Sequence, residues 1–125
     1  MVQLTCIAID DDPLFLRKLE ALADEIEWIE LTGTFNNPIQ GATAIISQKP
    51  DVVFLDMEMP HTGGGYLMDW LDPRLNSMEK KPKVIVITSL ERSSTKDLPN
   101  VSGYLNKFHL NSALILEEEL KRVID

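Results

Sequence analysis

The feature that most constrains this chain is an alternation of short, unbroken apolar runs with segments of helical period. Val52-Val53-Phe54-Leu55 and Val84-Ile85-Val86-Ile87 are continuous rather than alternating, the pattern of strands covered on both faces. Leu4 to Ile9 is a third such run. Between and after these runs the period changes. Asp12-Pro13 predicts an N-cap followed by proline at the first helical position, and Phe15, Leu19, Leu22, Ala23 and Ile26 then recur on one helical face. Ile29 to Phe35 predicts a second strand. Asn37-Pro38 repeats the cap-and-proline start for a helix over Ile39 to Gln48, which Lys49-Pro50 ends. A loop with Pro60, Gly63, Gly64 and Gly65 leads to a short third helix, Tyr66 to Leu71. The fourth strand is expected over Lys83 to Thr88. A polar, weakly helical stretch from Ser89 to Pro99 follows, then a short fifth strand from Gly103 to Asn106. A last helix is expected over Asn111 to Ile124, with Ala113, Leu116, Leu120, Val123 and Ile124 on one face.

Strands that alternate with helices imply right-handed βαβ units and a parallel sheet with helices on both sides. Five units at this length predict an α/β, flavodoxin-like (βα)5 doubly wound sandwich with strand order 2-1-3-4-5. A chain of 125 residues suits one domain, expected over 1–125. Its 44% hydrophobic content is too rich for disorder, and no apolar run approaches the roughly 20 residues that span a bilayer. The start of the chain has no basic leader with an apolar region behind it, so a cytoplasmic location is expected. The single cysteine, Cys6, excludes an internal disulfide and a cysteine-built zinc site, and is expected in the core. With 12 basic and 20 acidic side chains the net charge is −8, which argues against direct binding to nucleic acid.

The polar residues that interrupt the pattern fall at strand ends. Asp10 and Asp11 follow strand one, Asp56 closes strand three, Thr88 closes strand four and Lys107 follows strand five. The carboxyl ends of parallel strands share one edge, where ligand crevices open at the switch of strand order. Asp12 is accounted for as a cap; Asp10 and Asp11 are not. Two carboxylates about 4 Å apart repel by roughly 4 kcal/mol at an effective dielectric near 20. A hard divalent cation with oxygen ligands, Mg²⁺ or Mn²⁺, offsets that repulsion and also takes phosphate oxygens. Asp56 is the candidate nucleophile, since carboxylates form aspartyl phosphates. Lys107 and Thr88 are placed to neutralise and to hydrogen-bond a transferring phosphoryl group. Ser89, beside Thr88, is small enough to leave room for that group. His61 and His109 lack ligand spacing and are expected at the surface, as are Asp69 and Asp72 on a solvated helix face.

With these residues in place, the sequence resembles the receiver domain of two-component response regulators over essentially its whole length. The resemblance rests on Ile9-Asp10-Asp11-Asp12, on Phe54-Leu55-Asp56-Met57-Glu58-Met59-Pro60 with Gly64 beyond, on Val86-Ile87-Thr88-Ser89, and on Ser102-Gly103-Tyr104-Leu105-Asn106-Lys107. It implies phosphorelay signal transduction, with Asp56 phosphorylated by a histidine kinase or phosphotransfer protein. The domain would then be a signalling phosphoprotein that assists its own phosphorylation and dephosphorylation, and not an enzyme in its own right. The resemblance places Asp11 and Asp56 on the metal, Asp10 on it through water, and Glu58 on it through the backbone carbonyl. Tyr104 corresponds to an aromatic switch that moves inward when Thr88 shifts. A C-terminal DNA-binding output domain outside this chain and homodimerisation on activation are further implications, and the Asp56 motif is similar to that of regulators with LytTR-type output.

Two positions depart from the family pattern. Phe108 stands where a proline usually follows the lysine through a cis bond, and the stretch between Thr88 and Lys107 is short. Without proline a cis bond costs about 2.5–4 kcal/mol, so a trans bond is expected, with Lys107 still within ion-pair reach of Asp56. Two alternatives remain. A haloacid-dehalogenase-like phosphohydrolase would use Asp10 and Asp12 with Thr88 and Lys107, and a pseudo-receiver would keep the fold as an unphosphorylated interaction module.

Overall fold

The computed structural model describes residues 3–59, 63–89 and 100–124. Among them five parallel strands, β1 (Leu4–Ile9), β2 (Ile29–Phe35), β3 (Val52–Asp56), β4 (Lys83–Thr88) and β5 (Val101–Asn106), form one sheet in the order β2-β1-β3-β4-β5. Four helices connect or follow them: α1 (Pro13–Asp24), α2 (Pro38–Gln48), α3 (Gly63–Asn76) and α4 (Ala113–Ile124). This is the flavodoxin-like doubly wound order expected from the sequence.

The continuous apolar strands divide their side chains between two cores. Cys6, Ala8, Val52, Phe54, Ile85 and Ile87 pack with Phe15, Leu16 and Leu19 of α1 and with Leu116, Leu120 and Val123 of α4. Their neighbours Ile7, Ile9, Val53, Leu55 and Val84 pack on the other side with Ala42 and Ile45 of α2 and Met68, Leu71 and Leu75 of α3. The register keeps this two-residue alternation aligned, since Val53 pairs with Val84 and Phe54 with Ile85. On the second face α2 approaches closely because Gly41 has no side chain: a Cβ there would lie 2.6 Å from Ile9 Cγ1.

Helix starts follow the cap chemistry. Asp12 Oδ1 accepts from Leu14 N at 3.0 Å, and Asn37 Oδ1 accepts from Ile39 N at 2.8 Å, each just ahead of a proline in the first turn. Lys49 ends α2 in the left-handed region, at φ 50°.

Some expectations change. α3 starts at Gly63 and runs to Asn76, through Asp72-Pro73 rather than stopping at Leu71. Pro73 removes one intrahelical donor, but Leu71 and Leu75 are both fully buried and hold the last turn onto the sheet. β5 begins at Val101, because Val101 itself packs on the α2/α3 face. Ile124 is exposed while Val123 is buried, so Ile124 does not join Leu116, Leu120 and Val123 on the buried face of α4. Asp69 is exposed, but Asp72 is half-buried and accepts from Asn100 Nδ2 at 2.9 Å. His109 is exposed and Cys6 is fully buried, its thiol pushed up to about 12 by burial and by the nearby Asp51 charge. Pro60, His61 and the polar stretch over 90–99 lie outside the described residues.

Candidate functional site

Three backbone bonds extend the ladders past the strand ends and fix where each loop departs. Asp10 N donates to Phe35 O at 3.0 Å, Met57 N to Ile87 O at 3.1 Å and Lys107 N to Thr88 O at 2.9 Å. Asp10, Asp56, Thr88 and Lys107 are thereby gathered at one edge of the sheet. Three polar side chains are buried there, Asp10, Asp56 and Thr88, while Asp11 is exposed at the rim.

Each buried carboxylate is half-used locally. Asp10 Oδ1 accepts from Asp12 N at 2.9 Å, and Asp56 Oδ1 accepts from Glu58 N at 3.0 Å. Asp10 therefore also forms a turn, a role that its place in the sequence does not reveal. The second oxygens face Lys107, whose Nζ lies 2.8 Å from Asp10 Oδ2 and 3.6 Å from Asp56 Oδ2. Asp10 Oδ2 is fully buried, and among the described residues its charge is met by Lys107 Nζ alone. Lys107 Nζ also lies 4.9 Å from the centre of the Phe15 ring, over its negative face.

This crowding shifts ionisation. Burial, with the Asp10 carboxylate beside it, pushes Asp56 up to about 7 against the opposing effects of the Glu58 N–H and Lys107. Lys107 is raised: burial works against its charge, but the Asp10 hydrogen bond and the charges of Asp56 and Asp10 outweigh it.

Asp10, Asp11 and Asp56 each offer one carboxylate oxygen, and these oxygens lie within 4.8 Å of one another. The set is all-oxygen and anionic, and two of its members, Asp10 and Asp56, are buried. It fits a hard divalent cation.

The Lys107–Phe108 peptide bond is trans, as expected. Asn106 builds the turn that a cis proline would otherwise provide. Its Oδ1 accepts from Phe108 N at 2.8 Å, its carbonyl accepts from His109 N at 3.0 Å and from Leu110 N at 3.1 Å, and Leu110 is fully buried. Phe108 itself is exposed. Tyr104 is half-buried on β5, with its backbone N–H donating to Glu119 Oε2 at 3.1 Å.

One functional candidate has a second set of contacts. Besides the backbone-carbonyl role expected for it, Glu58 brings its carboxylate into the site, where it accepts from Thr88 Oγ1 at 3.0 Å and from Ser89 Oγ and N. Burial opposes its charge, but the Ser89 and Thr88 bonds and Lys107 hold Glu58 below the usual glutamate range.

Residues 6–107 match the sequence model of the response regulator receiver domain. The chain belongs to the response regulator receiver family. An uncharacterized response regulatory protein of Vibrio parahaemolyticus is 38% identical over 105 residues, covering 83% of this chain and 41% of that protein. Transcriptional regulatory protein BtsR of Escherichia coli is 31% identical over 90 residues, covering 72% of this chain and 36% of BtsR. The receiver chain thus spans about two-fifths of the length of these relatives. Among solved structures, RcsB from Salmonella enterica serovar Typhimurium, bound to promoter rprA with the phosphomimetic BeF3−, superposes with a TM-score of 0.80 at 20% identity, covering 98% of this chain and 100% of that one. The NarL receiver domain of Mycobacterium tuberculosis gives 0.75 at 19%, covering 99% and 98%. Both show the shared fold. Among the described residues no helix is long and apolar enough to cross a membrane.

Proposed function

We propose that this receiver accepts a phosphoryl group on Asp56 from a histidine kinase or phosphotransfer protein, in a reaction that depends on a divalent cation, and that the modified domain then switches an output interaction. The observation that carries this reading is the convergence of Asp56, Asp10 and Lys107 at one sheet edge, with Asp56 Oδ2 facing the lysine at 3.6 Å. Asp56 Oδ2 attacks the phosphorus of a phosphohistidine. The P–N bond breaks, the imidazole leaves with its electron pair and takes up a proton, and an acyl phosphate forms on Asp56. Lys107 neutralises charge on the transferring oxygens, and Thr88 and Ser89 donate to them. The carboxylates of Asp10, Asp11 and Asp56 and the backbone carbonyl of Glu58 would hold Mg²⁺ or Mn²⁺. When bound, such an ion offsets the carboxylate charge and binds a phosphoryl oxygen. Tyr104 turns inward as Thr88 is drawn to the phosphoryl group.

The hydrolase alternative needs Asp12 over the reacting atoms, but Asp12 Oδ1 is committed to the α1 cap. The acidic set and the buried ion pair argue against a pseudo-receiver. The domain, taken as one unit over 1–125, is a signalling phosphoacceptor rather than an enzyme. It works in the cytoplasm and makes no direct contact with nucleic acid, given its −8 charge. By analogy with the longer transcriptional relative, the output that this receiver switches is a DNA-binding domain outside this chain. Pairing of two receivers on activation belongs to the same proposal.

The test is addition of beryllofluoride with Mg²⁺ to the isotope-labelled chain. Amide shifts at Thr88, Ser89 and Tyr104 are expected in the native protein and not in Asp56→Asn. Equal shifts in both proteins would overturn the assignment of Asp56.

A further inference from the structure

The Glu58 side chain has no part in the mechanism above, yet it lies in the middle of the site. Its Oε1 accepts from Thr88 Oγ1 at 3.0 Å, and its Oε2 accepts from Ser89 Oγ at 2.6 Å and from Ser89 N at 3.1 Å. These are the same donors that the phosphoacceptor reading assigns to the phosphoryl oxygens. A carboxylate presents two anionic oxygens on one planar group, so it imitates one edge of a phosphoryl group closely. The Ser89 N–H and each hydroxyl have one proton to give. A donor committed to Glu58 is not available, at full strength, to a second anion.

The backbone sets this arrangement. Glu58 N donates to Asp56 Oδ1 at 3.0 Å, which ties the residue to the carboxylate that it follows. From there its side chain bridges the loop after β3 to the end of β4. Glu58 is exposed, so a path into water is open to its carboxylate.

We propose that the Glu58 carboxylate is an internal occupant of the phosphoryl-oxygen site. It holds Thr88 and Ser89 in the unmodified protein and is displaced when a phosphoryl group on Asp56 takes over their hydrogen bonds. The inference rests on Asp56 being the phosphoacceptor. It follows that Glu58 sets how readily the domain is modified. A site closed about nine-tenths of the time binds a phosphoryl analogue about tenfold more weakly than the open site. The released carboxylate is then a negative charge that the modified domain presents at the mouth of the site.

The experiment compares beryllofluoride binding, with Mg²⁺ in excess, in the native chain and in Glu58→Ala, Glu58→Asp and Asp56→Asn, followed by amide shifts. Glu58→Asp keeps the charge but shortens the side chain by one methylene, out of reach of Ser89. Both Glu58 variants are expected to bind about tenfold more tightly than the native chain, and the Ser89 amide is expected to move in both before any ligand is added. Tighter binding in Glu58→Ala with native affinity in Glu58→Asp would mean that charge alone acts, and would overturn the proposal. So would equal affinities in all three Asp56-containing proteins, or an unmoved Ser89 amide, while Asp56-dependent binding persists. Binding in none of the proteins would overturn the phosphoacceptor reading itself, and this inference with it.

Discussion

Replacing Asp56 with asparagine is expected to stabilise the cation-free protein at alkaline pH and to change it little in acid. Asp56 is buried beside Asp10 and rises from its ordinary 3.8 to about 7. The folded state therefore binds more protons than the unfolded chain between these values, and stability falls as pH rises through that window. At 1.36 kcal/mol per unit the full rise corresponds to roughly 4 kcal/mol, of which about 2 kcal/mol is expected to remain after the contacts that the substitution itself loses. The substituted amide keeps an oxygen for the Glu58 N–H and turns a donor rather than a second charge towards the buried Asp10 carboxylate, so the change relieves the repulsion without unpairing the site. Loss of the 3.6 Å contact with Lys107 offsets part of the gain, while Lys107 keeps its shorter pairing with Asp10. Urea unfolding followed by Trp28 and Trp70 fluorescence, in chelator, should place the variant's midpoint about 1 M higher above pH 7, given slopes of about 1–3 kcal/mol per molar. Near pH 4 the midpoints should coincide. Excess Mg²⁺ should erase the difference, because only the native site gains from the cation. A variant less stable than the native chain above pH 7 would refute the claim that the buried carboxylates repel.

Lys107→Ala should cost about 3–5 kcal/mol in chelator, because two buried carboxylates lose their counter-charge, and Mg²⁺ should restore part of it in the same unfolding assay. Asp11→Asn should weaken Mg²⁺ binding on the order of tenfold in an amide-shift titration, by removing one anionic ligand. Phe15→Leu should lower stability by about 2 kcal/mol, the sum of imperfect repacking and the lost contact with the Lys107 ammonium. At the other end of the sheet the opposite pH sign is expected. Burial opposes the Asp51 charge, but bonds from Thr5 and Lys80 hold it below the ordinary 3.8. Its contribution is present above that value and is lost as pH falls through the depressed one, so Asp51→Asn should flatten the acid limb of the stability curve.

The strands were legible because continuous β-branched runs leave few alternatives to a sheet covered on both faces, and the helix starts because Asp12-Pro13 and Asn37-Pro38 state their caps. The end of α3 was not legible. Pro73 reads locally as a stop, and only the burial of Leu71 and Leu75 against the sheet carries the helix past it. At β5 the strand was legible from Gly103 onward, and only Val101 and Ser102 were missed, which pairing with β4 adds at its start. The convergence of Asp10, Asp56, Thr88 and Lys107 followed from topology, since parallel strands bring their carboxyl ends together. The use of Glu58 did not, because it depends on side-chain reach between loops 31 residues apart. The packing of Phe15 under Lys107 depends in the same way on how α1 lies on the sheet. The turn made by Asn106 was open to reading, as an asparagine two residues ahead of a free N–H is a common turn former.

The most direct measurement is to incubate the native chain with acetyl phosphate and Mg²⁺ and to map the product by mass spectrometry after mild digestion. One phosphoryl group is expected, on Asp56, dependent on the cation and absent from Asp56→Asn. A phosphoryl group on Asp10, or one that persists in Asp56→Asn, would contradict it.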